Sequence, residues 1–379
     1  MTFSLEAYLQ DLQYLVNFDN GSYTPEGTTK VAAFFQERFA KEGWNTEIIN
    51  LGTDKVGPCL KVTNCATDDY DVLLLGHMDT VFPAGEAAKR PYKIDDKGIV
   101  TGVGVSDMKG CLLSAYYALS ELKQAGKLNS GKVCFLLTPD EEISAAYSHD
   151  TILKVAAHAK KVLVVEAARK NGDMVRERSG TARIDLAATG VAAHAGVAPQ
   201  DGSSAINELA HWIIELHKLS NYALGTSVNV GVISGGKAIN IVADQAEAHA
   251  DVRYKKPEEL QRVQDAVKAL AQKAFTPGGA KMDYTFTVTK PPMNASAETD
   301  KLCAKISEFG KAMGLSFNWV ATGGASDGNN TAHMGIPTLD GIGPVGAGGH
   351  SISEWLDSKS VEPRLKLLER TIEYCITGK

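Results

Sequence analysis

The chain has 379 residues, of which 44% are hydrophobic and 22% are charged, a balance typical of globular domains. With 39 Lys and Arg against 45 Asp and Glu, the formal net charge is −6, which argues against a nucleic-acid-binding protein. The six scattered cysteines form no CxxC pair, which argues against a cysteine zinc site and favours reduced thiols. We see no signal peptide and no apolar run near the ~18 residues of a membrane span, so we expect a cytoplasmic protein without a membrane partner.

Alternating helical and strand patterns fill the first half of the chain. Short continuous apolar runs such as 72–75 are typical of strands buried on both faces of a parallel sheet. The spacing of Val31, Phe34, Phe35 and Phe39 instead indicates one buried helix face. We predict an α/β domain whose mainly parallel sheet has helices on both faces. Its predicted strands are 44–51, 71–76, 134–137 and 162–165, and its predicted helices are 5–16, 28–42 and 108–124.

The pattern changes near Ser179, where strand-type alternation becomes common. The predicted order there is βαββαβ, which is typical of a ferredoxin-like α+β unit. Helix and strand patterns of the first kind return after residue 290. We therefore predict a catalytic domain in two parts, 1–178 and 290–379, interrupted by an inserted domain at 179–289. The inserted elements are 181–189, 204–219, 227–233, 246–254, 257–274 and 283–289, and the later ones are 299–313, 316–321, 338–339 and 363–375.

Metal-type side chains follow several of the predicted strands. His77 and Asp79 come directly after the strand 71–76, and at spacing i, i+2 they point to the same side of an extended chain. Asp79 can then accept the free ring N–H of a metal-bound His77. Taken alone, a single loop histidine is more often part of a solvated turn.

Asp107 opens the predicted helix 108–124, where its structural role would be that of an N-cap. Its carboxylate could also bridge two cations, one on each oxygen. Asp140, Glu141 and Glu142 follow the strand 134–137, and three adjacent carboxylates are costly unless they cap a helix or face positive charge. With a metal present, Glu142 could serve as a ligand and Glu141 as a general base.

Two more residues complete the set of candidate metal ligands. Glu166 follows the strand 162–165, and His350 lies in a glycine-rich loop. Each of these residues alone has an ordinary structural explanation. Their joint placement at strand ends and in glycine-rich loops predicts a metal centre, because zinc sites gather imidazole and carboxylate ligands from separate elements.

The segments that carry this pattern resemble those of the zinc aminoacylase and carboxypeptidase family of metallopeptidases. That family includes acetylornithine deacetylase and succinyl-diaminopimelate desuccinylase, and the resemblance is closest to its glutamate carboxypeptidase (carboxypeptidase G) branch. It extends from about residue 10 to the C-terminus. The matching segments are GHMDTV (76–81), GVSDMKG (104–110), PDEE (139–142), GVAAHAG (190–196) and GGHS (348–351).

The resemblance implies a co-catalytic di-zinc hydrolase with two Zn2+ ions per subunit, for which Co2+ or Mn2+ are alternative metals. His77 and Glu166 would hold one ion, Glu142 and His350 the other, and Asp107 would bridge them. Asp79 would orient His77, and Glu141 would be the general acid/base. The inserted domain would be a lid and the homodimer interface, with His194 reaching the partner's site to stabilise the oxyanion. Residues matching those that grip the substrate carboxylate are Asn240, Arg253 and Gly324 in the loop 323–326.

Three positions depart from the carboxypeptidase G pattern: Ala167, Ala243 and Lys290. Lys290 falls about where that branch has an arginine that recognises the glutamate side chain of the substrate. Lysine is also cationic, but it cannot bind a carboxylate through two parallel hydrogen bonds as arginine does. We expect release of a C-terminal amino acid, glutamate favoured, from a peptide, folate-like or N-acyl substrate. N-acyl-amino-acid deacylase and dipeptidase activities of the same family are the alternatives.

Other classes have weaker support in the sequence. The stretch 341–346 satisfies GxGxxG, but a proline stands where a dinucleotide-binding helix would start. No GxSxG elbow of a serine hydrolase is present. A non-catalytic metal-binding scaffold is also possible, although the general-base position Glu141 has no structural task in one.

Overall fold

A computed structural model of the protein describes residues 3–379. The chain divides into two compact units. The first consists of the described residues up to Glu177 together with Met293–Thr322 and Ser326–Lys379. The second consists of Arg178–Pro292 and the short segment Gly323–Ala325. None of the described helices combines the length and the apolarity that crossing a lipid bilayer requires.

Helices and strands alternate along most of the chain. The helices are α1 (Leu5–Val16), α2 (Pro25–Lys41), α3 (Glu86–Lys89), α4 (Gly110–Gln124), α5 (His149–Ala156), α6 (Ala205–His217), α7 (Pro257–Leu270), α8 (Ala297–Ala312), α9 (Gly328–His333) and α10 (Ser358–Thr377). The strands are β1 (Asn45–Ile49), β2 (Cys59–Thr63), β3 (Val72–His77), β4 (Lys93–Ile94), β5 (Ile99–Thr101), β6 (Val133–Thr138), β7 (Val162–Val164), β8 (Met174–Arg178), β9 (Gly180–Thr189), β10 (Ser227–Gly235), β11 (Gln245–Tyr254), β12 (Lys281–Lys290), β13 (Trp319–Thr322), β14 (Thr338–Leu339), β15 (Gly346–Ala347) and β16 (Trp355–Asp357).

A six-stranded sheet in the order β1-β2-β6-β3-β7-β14 forms the centre of the first unit. Strands β6, β3, β7 and β14 are parallel, whereas β1 and β2 join as an antiparallel edge. Every residue of β3 and β6 is buried, as their continuous apolar runs predict. The predicted mainly parallel sheet is confirmed, and β2 is an additional strand within it.

Helices cover both faces of this sheet, again as predicted. Alternate residues of β3 point to opposite faces: Leu74 joins a large core with α1, α2, α4 and α10, while Leu73 and Leu75 join a smaller core with Ile152 of α5. The strand is therefore held from both sides, which fixes the position of the residues at its carboxyl end.

The second unit has the βαββαβ order that the sequence predicts. Its antiparallel sheet runs β10-β11-β9-β12, and the apolar face packs against α6 and α7 around Trp212 and Val263. The opposite face carries polar residues such as Arg183 and Asp185, in alternation with the buried Ile184. The ferredoxin-like architecture is confirmed.

Some boundaries differ from those predicted. Helix α4 begins at Gly110 instead of residue 108, because the chain first makes an irregular turn at Val105–Lys109. Helix α10 begins five residues before the predicted start at Pro363, capped by the Asp357 carboxylate, which accepts the Lys359 N–H at 3.0 Å. Pro363 therefore lies inside the helix, where it removes one main-chain hydrogen bond, and the helix continues to Thr377.

Candidate metal centre

Three neighbouring parallel strands deliver acidic and imidazole side chains to one edge of the sheet. His77 is the last residue of β3, and Glu166 lies two residues beyond β7. Beyond β6, the chain forms a short 3-10 turn at Glu141–Ile143 that carries Glu142. The carboxyl ends of parallel strands meet at one edge, which is where such sheets usually gather functional groups.

Asp107 reaches this edge from the turn that precedes α4. The peptide bond between Asp107 and Met108 is cis, and both residues have non-helical backbone angles. The N-cap of α4 is Lys109 and not Asp107. Asp107 therefore does not cap α4, and its carboxylate lies instead among the predicted ligands.

His350 comes from the glycine-rich loop after β15. Its φ of 64° lies in the left-handed region, which is uncommon for residues other than glycine. A Cβ on the preceding residue, Gly349, would lie 2.6 Å from Asp107 Oδ2, so only glycine lets the loop rest against that carboxylate. The His350 side chain is 60% exposed, in contrast to 2% for His77.

The two oxygens of Asp107 face two different sets of side chains. Its Oδ1 lies 3.2 Å from His77 Nε2, which is itself 3.5 Å from Glu166 Oε1. On the other side, His350 Nε2 lies 3.3 Å from Asp107 Oδ2 and 2.9 Å from Glu142 Oε2. Two ligand groups that share Asp107 result, and within each group the potential ligand atoms lie within 4.8 Å of one another.

The donor types and spacings fit a pair of divalent cations. Imidazole and carboxylate are borderline-hard ligands that suit Zn2+ and similar metals. Around a tetrahedral zinc with bonds of about 2.0–2.2 Å, ligand atoms are separated by about 3.3–3.6 Å. The observed separations of 3.2, 3.3 and 3.5 Å match this spacing, and the 2.9 Å pair is slightly closer.

Burial and close contact shift the pKa values of several proposed ligands. Burial, followed by the charge of Asp107, raises the pKa of Glu142 to about 8, and burial also raises the pKa of Glu166. Hydrogen bonds to Asp107 and then Glu142 raise the pKa of His350 to about 11. A bound cation would offset the negative charge that these carboxylates carry when they are deprotonated.

The histidine at the end of β3 is oriented by its neighbour Asp79. The ring atom His77 Nδ1 lies 3.2 Å from Asp79 Oδ1 and 3.1 Å from the Asp79 main-chain oxygen. Buried Asp79 also accepts the main-chain N–H groups of Glu141 and Glu142, each at 3.1 Å, and the Ser22 hydroxyl at 2.6 Å. One carboxylate thus ties the end of β3 to the turn after β6.

Among the three adjacent acids after β6, Asp140 holds the segment that leads into α5. Its carboxylate accepts the main-chain N–H groups of Tyr147 at 2.7 Å and Ser148 at 3.1 Å, just before α5. Glu142 belongs to a ligand group, whereas neither ligand group found among residues 3–379 includes Glu141. The three carboxylates therefore occupy three different environments.

Two residues that the sequence analysis did not single out support the ligands. The buried Glu354 carboxylate accepts the main-chain N–H of Asp107 at 3.0 Å. Arg90 stacks on Phe82 at 4.1 Å and donates to the main-chain oxygen of Ser351, beside His350, at 3.2 Å. Neither has a strand-end or glycine-loop pattern, so local sequence carries no signal for them.

In the second unit, His194 and Asn240 lie next to each other. The Asn240 main-chain oxygen accepts the Ala195 N–H at 2.9 Å, and both His194 and Asn240 are exposed. His194 Nδ1 accepts the Gly196 N–H at 3.2 Å. A neutral ring that accepts at Nδ1 carries its proton on Nε2, which makes Nε2 a hydrogen-bond donor.

The other predicted substrate residues of this unit form a second cluster. Arg253 and Lys290 both pair with Thr181 of β9, from its two sides, and Lys290 is buried. Arg253 also donates to the Gly323 oxygen at 3.4 Å. Buried Arg178, which the sequence analysis did not single out, donates to the Gly324 oxygen at 3.1 Å.

Comparison with known sequences identifies relatives over almost the whole chain. The sequence profile of Peptidase family M20/M25/M40 matches residues 73–374. Carboxypeptidase G2 of Pseudomonas sp. (strain RS-16) is 28% identical over 380 residues, covering 98% of this chain and 90% of that protein. Succinyl-diaminopimelate desuccinylase of Cupriavidus pinatubonensis is 27% identical over 377 residues, covering 91% of this chain and 93% of that protein.

Comparison with solved structures identifies the same fold. A tripeptidase from Staphylococcus aureus superimposes with a TM-score of 0.80 at 23% sequence identity, covering 99% of both chains. At that identity the likeness concerns the fold, and it agrees with the mainly parallel sheet and the antiparallel second unit described above.

Proposed function

Since the chain belongs to Peptidase family M20/M25/M40, we propose that it is a zinc-dependent hydrolase that uses two metal ions to cut an amide bond. The observation that supports this most directly is the position of Asp107 between two ligand groups. In the proposed assignment, His77 and Glu166 would hold one Zn2+, Glu142 and His350 would hold the other, and Asp107 would be shared by both. Bound zinc would supply a water of lowered pKa, toward about 7, and a positive charge that polarises the amide carbonyl.

Glu141 is the proposed general base and acid. It lies one residue before the proposed ligand Glu142, and neither ligand group found in the described part of the chain includes it. It would accept the proton of the attacking water and deliver it to the leaving amine. Asp79 would hold His77 in the tautomer that binds metal through Nε2, because its oxygens lie at the opposite ring nitrogen.

His194 is the proposed oxyanion donor. Its acceptor contact at Nδ1 leaves a proton on Nε2, the form that can donate to a developing negative charge. A single donor of this kind is typically worth ~3–4 kcal/mol of transition-state stabilisation. Following the family resemblance, we propose that this histidine serves the active site of the partner subunit.

A homodimer formed through the second unit is consistent with the surface of that unit. Strand β10 is an edge of its sheet and carries the exposed apolar residues Val232 and Ile233. Ile206 and Ile214 of α6, which packs beside β10, are also exposed. An exposed strand edge with adjacent apolar side chains suits pairing with a second copy.

We propose that the substrate is a peptide, a folate-like conjugate or an N-acyl amino acid with a free α-carboxylate. Asn240, Arg253, Lys290 and the loop at Gly324 would bind that carboxylate end. The relative with 28% identity is named as a carboxypeptidase, which favours release of a C-terminal residue, glutamate first.

Since all six cysteines are free thiols, we place the protein in a reducing, cytoplasmic environment.

The test is amino-acid release from a panel of N-acyl amino acids, dipeptides and folyl-glutamate, with zinc and with or without a chelator. We expect chelator-sensitive release, and the best substrate identifies the residue that Lys290 and Arg253 accept. A deacylase or a dipeptidase of the same family would instead prefer the N-acyl amino acids or the dipeptides. Two bound zinc ions without release from any panel member would favour a non-catalytic metal-binding scaffold.

A further inference from the structure

We propose that Glu354 is a positioning residue of the metal centre, which aims the Asp107 carboxylate at both metal positions. The inference rests on the proposed function, since it concerns the same two ions. Neither ligand group found among residues 3–379 includes Glu354, and its proposed effect is on metal affinity.

The Glu354 carboxylate occupies the inside of the turn that carries Asp107. One oxygen, Oε2, accepts the Gly104 N–H at 2.9 Å. The other, Oε1, accepts the N–H groups of Ser106 at 2.9 Å and Asp107 at 3.0 Å, with the Ser106 hydroxyl at 3.3 Å. Only 1% of Glu354 is exposed, so these contacts are made away from solvent.

The three N–H donors point at both terminal atoms of the side chain, so both of these atoms must be hydrogen-bond acceptors. A carboxylate has two acceptor oxygens and meets this requirement. A glutamine of the same shape would turn an NH2 group toward at least one of the three N–H donors, leaving a buried donor without a partner. The turn, which is irregular and non-helical at Asp107, is therefore shaped by the charge and length of Glu354.

The same residue also lies against the loop that carries His350. A Cβ on Gly348 would come within 3.1 Å of Glu354 Cα, and a Cβ on Gly346 would come within 2.5 Å of Ser106 Cβ. The second ligand group consists of Asp107, Glu142 and His350. Two of these residues, Asp107 and His350, lie in segments that contact Glu354 or Ser106. A change at Glu354 is expected to affect the Glu142–His350 position most.

The experiment compares Glu354→Gln with Ile372→Ala, a variant of a fully buried residue of α10 that contributes no group to the metal centre. Both metal-free proteins are titrated with Zn2+ against a chromophoric chelator, and their thermal stability is measured in parallel. We expect Glu354→Gln to lower the affinity for at least one zinc ion by about 10–100-fold, as removal of partners of metal ligands typically does. Ile372→Ala should lower thermal stability and keep the wild-type zinc affinity.

Wild-type zinc affinity in a folded Glu354→Gln variant would overturn the role of Glu354, as would an equal loss of affinity in Ile372→Ala. If Glu354→Gln does not fold, Glu354→Asp replaces it, because aspartate keeps the charge but is too short to reach all three N–H groups. Lowered zinc affinity in Glu354→Asp supports the proposal, and wild-type affinity overturns it. A wild-type protein that binds no zinc would overturn the proposed function itself, and this role with it.

Discussion

Asp79 Oδ2 accepts the main-chain N–H of Glu142 at 3.1 Å, so a residue after β3 fixes a residue after β6. The other Asp79 oxygen lies 3.2 Å from His77 Nδ1. A single buried carboxylate therefore sets the relative position of two proposed ligands, one for each metal ion. Its removal should disturb both positions together.

We expect Asp79→Asn to lower zinc affinity and kcat by about 10–100-fold each. The single amide oxygen of asparagine cannot replace two carboxylate oxygens that accept from Ser22, Glu141 and Glu142. Zinc competition titration and steady-state kinetics measure the two effects. Asp71→Asn, at the opposite end of β3, is the matched control and should keep both values, and wild-type kinetics in Asp79→Asn would contradict the prediction.

Replacing Glu141 by alanine should separate chemistry from metal binding. We expect kcat to fall by about 10²–10⁴-fold, the usual contribution of a general acid/base, while two zinc ions remain bound. Glu142→Ala should instead lose zinc, because Glu142 belongs to a ligand group. Metal content by elemental analysis distinguishes the two variants, and loss of zinc from Glu141→Ala would make Glu141 a ligand.

His194→Ala should lower kcat by about 10²–10³-fold, since the variant lacks the proposed oxyanion donor. Zinc content should not change, because His194 belongs to neither ligand group. His211→Ala is the control, since His211 is an exposed histidine of the same unit that stacks on Phe275. Equal kcat values for the two variants would remove His194 from the mechanism.

Zinc affinity should rise with pH between 6 and 8. Hydrogen bonds to Asp107 and then Glu142 raise the pKa of His350 to about 11, and burial, followed by the charge of Asp107, raises that of Glu142 to about 8. Zinc binds only the deprotonated ligands, so binding releases protons. For each proton released, the zinc affinity falls about tenfold when the pH is lowered by one unit. Calorimetry in two buffers of different ionisation enthalpy counts those protons, and a pH-independent affinity would show that none is released.

Glu369 of α10 should make the folding stability depend on pH. Burial, and then its hydrogen bond to Glu121, raises the pKa of Glu369 from 4.5 to about 7, although Lys366 lies 3.2 Å away. The folded state thus binds the extra proton, so this contribution is fully present below pH 4.5 and is lost as the pH rises through about 7.

Between pH 5 and pH 8, the wild type should lose unfolding free energy as Glu369 gives up its proton. Glu369→Gln has no such proton to lose. We therefore expect the loss in zinc-loaded Glu369→Gln over this pH range to be about 1–2 kcal/mol smaller than in the wild type. Urea unfolding at the two pH values measures the difference. Glu373→Gln, on the same helix, is the control and should follow the wild type. Parallel pH profiles of wild type and Glu369→Gln would contradict the prediction.

Local sequence predicts the long, strongly patterned elements of this fold well. The apolar run of β3 and the βαββαβ order of the second unit appear where the patterns place them. Short strands such as β2, with Lys61 in its middle, and β16 carry no such pattern, because their strand state depends on neighbours distant in the chain. The start of α4 also could not be predicted, since the preceding turn is shaped by Glu354 about 250 residues later.

The same distinction applies to the site. Asp107 and His350 could be proposed from residue type and position, because ligands at strand ends and in glycine loops follow local rules. Glu354 and Arg90 contact main-chain atoms far along the chain, and a residue that binds a main-chain group can be of many types. Such supporting residues become visible only when the backbone path is known.

The division of the ligands along the chain has a consequence for biosynthesis. His77, Asp107 and Glu166 all precede the second unit, Arg178–Pro292, whereas His350 follows it. During translation, which exposes N-terminal segments first, the three residues of one proposed ligand group are all made before the second unit. The other group waits for His350, and Glu354, which holds the turn of the shared Asp107, is made later still. Neither position is therefore complete until the chain beyond the whole second unit has been made.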